Sequence, residues 1–151
     1  MRVVIQRVRK ASVFVPSENH EAWIGPGLLV LAAFTDGDTE KDLEWMAGKV
    51  CALRIFDDEA GVMNLSVKDT DGDILCVSQF TLYASTARGN RPSYIRAAKA
   101  GISFPLYEKF CTLLGEHLGK SVRKGIFGAD MKVELLNDGP VTIIIDSNIK
   151  E

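Results

Sequence analysis

Apolar positions along the 151-residue chain fall into two periods, alternation and helical spacing, and the switches between them predict the elements. Val3 to Val8 and Ala11 to Val15 are β-branched and read as strand, with Pro16-Ser17-Glu18-Asn19 as the turn into a return strand near Ala22 to Ile24. After the break Gly25-Pro26-Gly27, the stretch Gly27 to Phe34 is continuously apolar, too short for a core helix and bounded by turn residues, which predicts a buried strand. Thr39 then opens a helix: Glu40 and Asp42 suit its first turn, and Leu43, Met46, Ala47, Val50 and Leu53 recur on one face. Val62 to Val67 predicts a short extended piece after the Asp57 to Gly61 turn, Asp71-Gly72 signals a hairpin, and Ile74 to Phe80 is a second buried strand. Ser103 is placed to cap a second helix, with Pro105 in its first turn and Tyr107, Phe110, Cys111, Leu114 and Leu118 as its apolar face. Met131 to Leu136 and Val141 to Ile145 read as two strands flanking Asn137-Asp138-Gly139-Pro140. Strands come mostly in runs, so the pattern predicts one α/β domain over residues 1–151 with antiparallel or mixed sheets, not a doubly wound parallel sheet.

Composition narrows the class without naming a function. A content of 46% hydrophobic and 25% charged residues suits one globular domain able to bury its own core. Net charge is -2, but charge is segregated: Asp36 to Asp73 holds eleven acids against four bases, while Ile74 to Tyr107 holds no acid and the bases Arg88, Arg91, Arg96 and Lys99. A local basic face on an acidic protein suits a binder of an RNA end or a small phosphate, although each stretch alone also reads as a solvated face. Cys51, Cys76 and Cys111 are widely spaced in apolar stretches and read as buried free thiols in a reducing compartment. No apolar run approaches the ~18 residues of a membrane span, so no membrane partner is expected.

Several chemistries lack their residues. His20 and His117 have no second His or Cys at metal-ligand spacing, so no metal site is expected, and no Ser sits in a G-x-S-x-G elbow. The Gly119-Lys120-Ser121 tripeptide has Leu114 where a P-loop needs its first Gly, and Asp69-Thr70-Asp71-Gly72-Asp73 lacks the spacing of a calcium loop.

Two constellations remain. One is Ser78-Gln79-Phe80-Thr81-Leu82-Tyr83, where polar groups appear at the end of an apolar run, followed by Arg88-Gly89-Asn90-Arg91-Pro92; the other is Asn137-Asp138-Gly139-Pro140-Val141-Thr142. Alone, each has a local reading as a strand end, a basic loop or a turn. Together they resemble the D-aminoacyl-tRNA deacylase family, whose motifs S-Q-F-T-L and N-x-G-P-x-T both stand here unbroken. The resemblance runs through the opening Val4-Ile5-Gln6-Arg7-Val8, Arg54-Ile55-Phe56, Met63-Asn64-Leu65-Ser66 and Gly128-Ala129-Asp130-Met131. Departures fall at His20 to Trp23, at Ala32-Ala33-Phe34 and at Lys124.

The resemblance implies a barrel-like core with two main helices, a cytoplasmic homodimer, and hydrolysis of the ester joining a D-amino acid, or glycine, to the 3′ end of tRNA without a cofactor. It places the oxyanion against the Phe80 N–H, with Ser78 and Gln79 shaping the loop and the terminal 2′-hydroxyl of tRNA assisting water. Thr81 is the alternative nucleophile, ranked second because no base lies within sequence reach. Arg88, Arg91 and Lys99 would hold phosphates of the acceptor end, and Met63 and Asn137 join the substrate-binding set. Gly139-Pro140 would form a cis peptide that enters the partner's pocket and excludes L side chains. The other class left open is a nucleic-acid-binding module without catalysis.

Overall fold

In the computed structural model, which describes residues 1–150, one long strand organises the rest. β1 (Arg2–Val15) runs on through the expected gap at Arg9 and Lys10, turns through a 3-10 turn at Pro16–Glu18, and returns as β2 (His20–Ile24). β3 (Gly27–Ala33) and α1 (Glu40–Ala52) follow; β4 (Phe56–Asp57) and β5 (Met63–Leu65) form a small antiparallel pair. β6 (Asp73–Ser78), α2 (Ala100–Leu118), β7 (Arg123–Lys124) and β8 (Lys132–Asp146) complete the chain.

β1 hydrogen-bonds β3 along its first half and β2 along its second, while β8 pairs with it on both sides of the middle. β6 and β7 add in parallel beyond β3, making the sheet mixed. The sheet coils until β2 comes beside β7, where His20 Nε2 donates to the Lys124 carbonyl at 3.0 Å, and the result is nearly a closed barrel. Gly27 opens β3 because a Cβ there would overlap the Asp73 carbonyl of the parallel partner.

Two irregularities explain how one strand serves two cores. Gln6 faces Thr142 and Val8 faces Asn137, so the four residues 138–141 of β8 stand opposite Arg7 alone. Val8 faces Asn137 and Lys10 faces Leu136, leaving Arg9 as an extra residue on β1. That extra residue reverses the alternation: Val3 and Ile5 face the helices, but Val8, Ala11, Val13 and Val15 face the barrel interior with Leu29, Leu75 and Val77. Leu28, Val30, Ile74 and Cys76 point the other way and carry the packed pair α1 and α2.

α1 begins as expected, with a capping box in which Asp42 accepts from the Thr39 N–H at 2.9 Å; this bond and that from the Thr39 hydroxyl hold the Asp42 carboxyl below the usual carboxylate range. Leu53 lies just past its end. α2 starts at Ala100, not at Ser103: Lys99 occupies the cap position, and the Ser103 hydroxyl instead donates back to the Lys99 carbonyl at 3.0 Å. Pro105 therefore sits inside the helix, beyond its first turn. Asp71-Gly72 is not a hairpin but part of a crossover, since β6 joins β3 in parallel. The two strands expected around Asn137 to Pro140 are one strand, β8, carrying a wide bulge. All three thiols are free and buried, and burial pushes Cys51 up to about 11.

Candidate active site

Because β3 and β6 are parallel, their carboxyl ends open at the same edge, and a cleft of about 490 Å³ lies there. Ala32 to Phe34 and Val77 to Phe80 form one side, Ala98, Ala100 and Ser103 at the start of α2 a second, and Phe127 to Met131 with Val133 the third. Ser78, Gln79 and Phe80 all line it. The lining is mostly apolar and carries one carboxylate, Asp130, which pairs with Lys132 at 2.8 Å.

The chain leaves β6 in a way that frees one main-chain donor. The Gln79 N–H donates to the Ala32 carbonyl at 2.8 Å, extending the ladder by one residue, and a 3-10 turn then runs from Phe80 to Tyr83. As first residue of that turn, Phe80 has an N–H for which the turn supplies no acceptor, and no other acceptor engages it among the described residues. Phe80 is 56% exposed, and its ring packs edge-on against Tyr94, 5.0 Å between centroids. Thr81 does not line the cleft; its hydroxyl accepts a hydrogen bond from the Gln79 side-chain amide. An amide is no base, and no His, Asp or Glu hydrogen-bonds Thr81 among the described residues, so nothing activates that hydroxyl for attack.

Beside the cleft, reciprocal bonds between Ser85 and Ser93 (2.8 and 2.9 Å) close a loop whose tip carries Arg88 and Arg91, both exposed and without an acidic partner among the described residues. Lys99 is likewise exposed, next to Ala98 and Ala100 of the cleft wall.

Asn137, Gly139, Pro140 and Met63 lie elsewhere: none of them lines this cleft. The Gly139–Pro140 peptide is cis and exposed in the wide bulge of β8. A Cβ on Gly139 would stand 2.5 Å from the Val141 nitrogen, so the bulge needs glycine. Behind the tip, Asn137 Oδ1 accepts from the Val141 N–H at 3.4 Å. Arg7, 9% exposed, donates from Nε to the Asp138 carbonyl at 2.8 Å and through its guanidinium to the Ile55 carbonyl at 2.7 Å. Ile55 adjoins β4, whose partner β5 carries the exposed Met63. One chain therefore holds two separate constellations, a recessed cleft and a braced tip. Arg7 was missed by the sequence reading; its only local signal is a charge in an otherwise alternating strand.

A strand-end cleft bordered by a residue whose main-chain N–H is unengaged has a donor that can polarise a carbonyl group. A family model described as D-Tyr-tRNA(Tyr) deacylase matches residues 4–146, and the chain belongs to that family. Proteins named D-aminoacyl-tRNA deacylase from Parabacteroides distasonis and Dechloromonas aromatica are each 59% identical over 151 residues, covering all of both chains. A solved structure titled c-Myc DNA Unwinding Element Binding Protein superposes with TM-score 0.88 at 39% identity, covering 97% of this chain and 98% of that one. A probable eukaryotic D-amino acid tRNA deacylase, 20% identical and covering 95% of this chain and 97% of that one, shares the fold with TM-score 0.82.

Proposed function

We propose that this D-aminoacyl-tRNA deacylase hydrolyses its ester with water as the attacking group and the Phe80 N–H as oxyanion donor. The observation that carries this reading is that Phe80 lines the cleft and its N–H is unengaged. An aminoacyl ester is already activated, so orientation and carbonyl polarisation are the main demands. Water attacks the ester carbonyl, the negative charge on its oxygen is met by the N–H, and the carbon–oxygen bond to the 3′-oxygen breaks. The departing 3′-oxygen takes up the proton released by water, and the neighbouring 2′-hydroxyl of the substrate positions that water. A preorganised N–H of this kind is worth about 3 kcal/mol. Ser78 and Gln79 shape the turn, Thr81 restrains Gln79, and Arg88, Arg91 and Lys99 attract the phosphates of the acceptor end.

Two copies complete the site. On the first half of β1, the sheet face that continues the barrel interior is left uncovered: Val4 lies beside Leu31 and Ile144, Gln6 lies beside Thr142, and Ile144 is 68% exposed. A second copy covering this face under two-fold symmetry exchanges two tips for two clefts. Gly139-Pro140 of each chain then meets the amino acid in the other's cleft, its carbonyls accept from the α-ammonium, and no room is left for an L side chain. Exclusion by clash has nothing to act on in glycine, so glycyl-tRNA is a substrate too. A chiral proofreading role of this kind belongs to the cytoplasm, and no helix among the described residues is long and apolar enough to cross a membrane.

A second reading, nucleic-acid binding apart from catalysis, draws on the free arginines of the 85–93 loop and on the similar solved structure of a c-Myc DNA Unwinding Element Binding Protein. Phe80→Pro separates the two. Proline suits the first position of a helical turn and removes the N–H in question together with the ring that packs on Tyr94, so Phe80→Ala, which loses the ring and keeps the N–H, is the control. The expected result is a ~10²–10³-fold loss of kcat on D-tyrosyl-tRNA with tRNA binding retained; an unchanged kcat would remove Phe80 from the mechanism.

A further inference from the structure

The turn that presents the Phe80 N–H is fastened at both ends, and the two fastenings differ in kind. At its front, the Gln79 N–H is tied to the Ala32 carbonyl at 2.8 Å, a main-chain bond that any sequence would keep. At its back, the tie is a side chain. Arg2 on β1 donates from its guanidinium to the Leu82 carbonyl at 2.9 Å, and the guanidinium carbon stands 4.9 Å from the centre of the Tyr83 ring. The other edge of the guanidinium is held by Asp146 on β8, which accepts from Nε and from the second terminal nitrogen, both at 2.9 Å. Arg2 and Asp146 are direct cross-strand partners, and their side chains are 25% and 11% exposed.

We infer that Arg2 is a positioning residue for deacylation: it clamps the back of the Phe80–Tyr83 turn to the β1–β8 ladder and so fixes where the Phe80 N–H points. This rests on the oxyanion role of Phe80 set out above. Only a planar fork does the whole task, because one face packs on Tyr83 while separate nitrogens serve Leu82 and Asp146. Lysine at this position keeps the charge and its pairing with Asp146 but cannot span both partners. Between the two ties lie only Phe80 and Thr81, so loss of the rear one loosens the turn directly behind the oxyanion donor, leaving the buried Tyr83 ring and the Ser85–Ser93 pair as its rear hold. A displacement of about 1 Å at such a donor costs up to 10²-fold in rate.

The test compares wild type, Arg2→Lys and Arg2→Met for deacylation of D-tyrosyl-tRNA, for thermal unfolding and for amide hydrogen exchange. Both variants are expected to lose kcat by ~10-fold or more with KM within about twofold. Arg2→Lys is expected to unfold at close to the wild-type temperature, and faster exchange is expected to be confined to residues 79–84. Unchanged kcat in both variants, or exchange that rises throughout β1 and β8 in proportion to lost activity, would overturn the inference. A wild-type protein inactive on D-tyrosyl-tRNA would instead strike the catalytic reading, and the exchange pattern would still report on the clamp.

Discussion

The cleft and the tip are built on opposite principles. At the cleft the chain recedes: two parallel strands end together, the ladder stops one residue later, and an N–H is left unengaged on a wall of mostly apolar side chains. At the tip the chain protrudes: residues 138–141 bulge from β8, and Arg7 and Asn137 satisfy the bulge from behind so that Gly139 and Pro140 face outward. The cleft has a donor without a ligand of its own, and the tip has rigidity without a pocket. The difference teaches that each region has what the other lacks, and the proposal that they meet between two chains rests on that.

Variants on the two sides should therefore fail in different ways. The largest effect is expected from Phe80→Pro, which damages only the cleft and lowers kcat for D-tyrosyl- and glycyl-tRNA alike. Next comes Arg7→Met. It leaves the Asp138 and Ile55 carbonyls without their donor, at a cost of about 1–3 kcal/mol for each group that stays buried. The expected readings are a lower unfolding temperature and a ~10-fold or greater fall in kcat, with cleavage of L-tyrosyl-tRNA emerging as the tip loosens. If Arg7→Met is destabilised yet keeps full rate and full chirality, the tip has no part in selection. Thr81→Ala is expected to retain activity within a few-fold, while tRNA ending in 2′-deoxyadenosine is cleaved poorly; the reverse pattern would make Thr81 the nucleophile. The smallest effect belongs to Arg88→Ala with Arg91→Ala, which should raise KM several-fold at moderate salt and flatten its salt dependence, leaving kcat alone.

Much of this was legible in the chain. Alternation, the Thr39 cap and the sudden polar run at Ser78 located the main strands, α1 and the cleft, because each depends on neighbours in sequence. What escaped depends on partners far along the chain. The extra residue at Arg9 that reverses the facing of β1 has no local signature; it exists because β8 pairs with both halves of that strand. Ser103 resembled a cap more than Lys99 does, yet α2 begins at Ala100, adjoining Ala98, whose N–H donates to the Phe34 carbonyl at 2.9 Å. Arg2 and Arg7 carry no local mark of what they hold, and only tertiary structure sets their guanidinium groups against the carbonyls of Leu82, Asp138 and Ile55. Gly139-Pro140 was found by its motif, but its separation from the cleft within one chain could be seen only in three dimensions.

Subunit mixing tests the shared site most directly. Phe80→Pro spoils a cleft and spares the tip, while Gly139→Ala, which brings a Cβ to 2.5 Å from the Val141 nitrogen, spoils a tip and spares the cleft. Each variant alone should be nearly inactive on D-tyrosyl-tRNA. When the two are unfolded together in equal amounts and refolded, half of the dimers are mixed and each mixed dimer contains one intact cleft facing one intact tip. The account predicts recovery of about a quarter of wild-type activity, as random pairing under two-fold symmetry requires. Mixed dimers that form, by mass or by tag, but recover no activity would show that cleft and tip do not work across the subunit boundary.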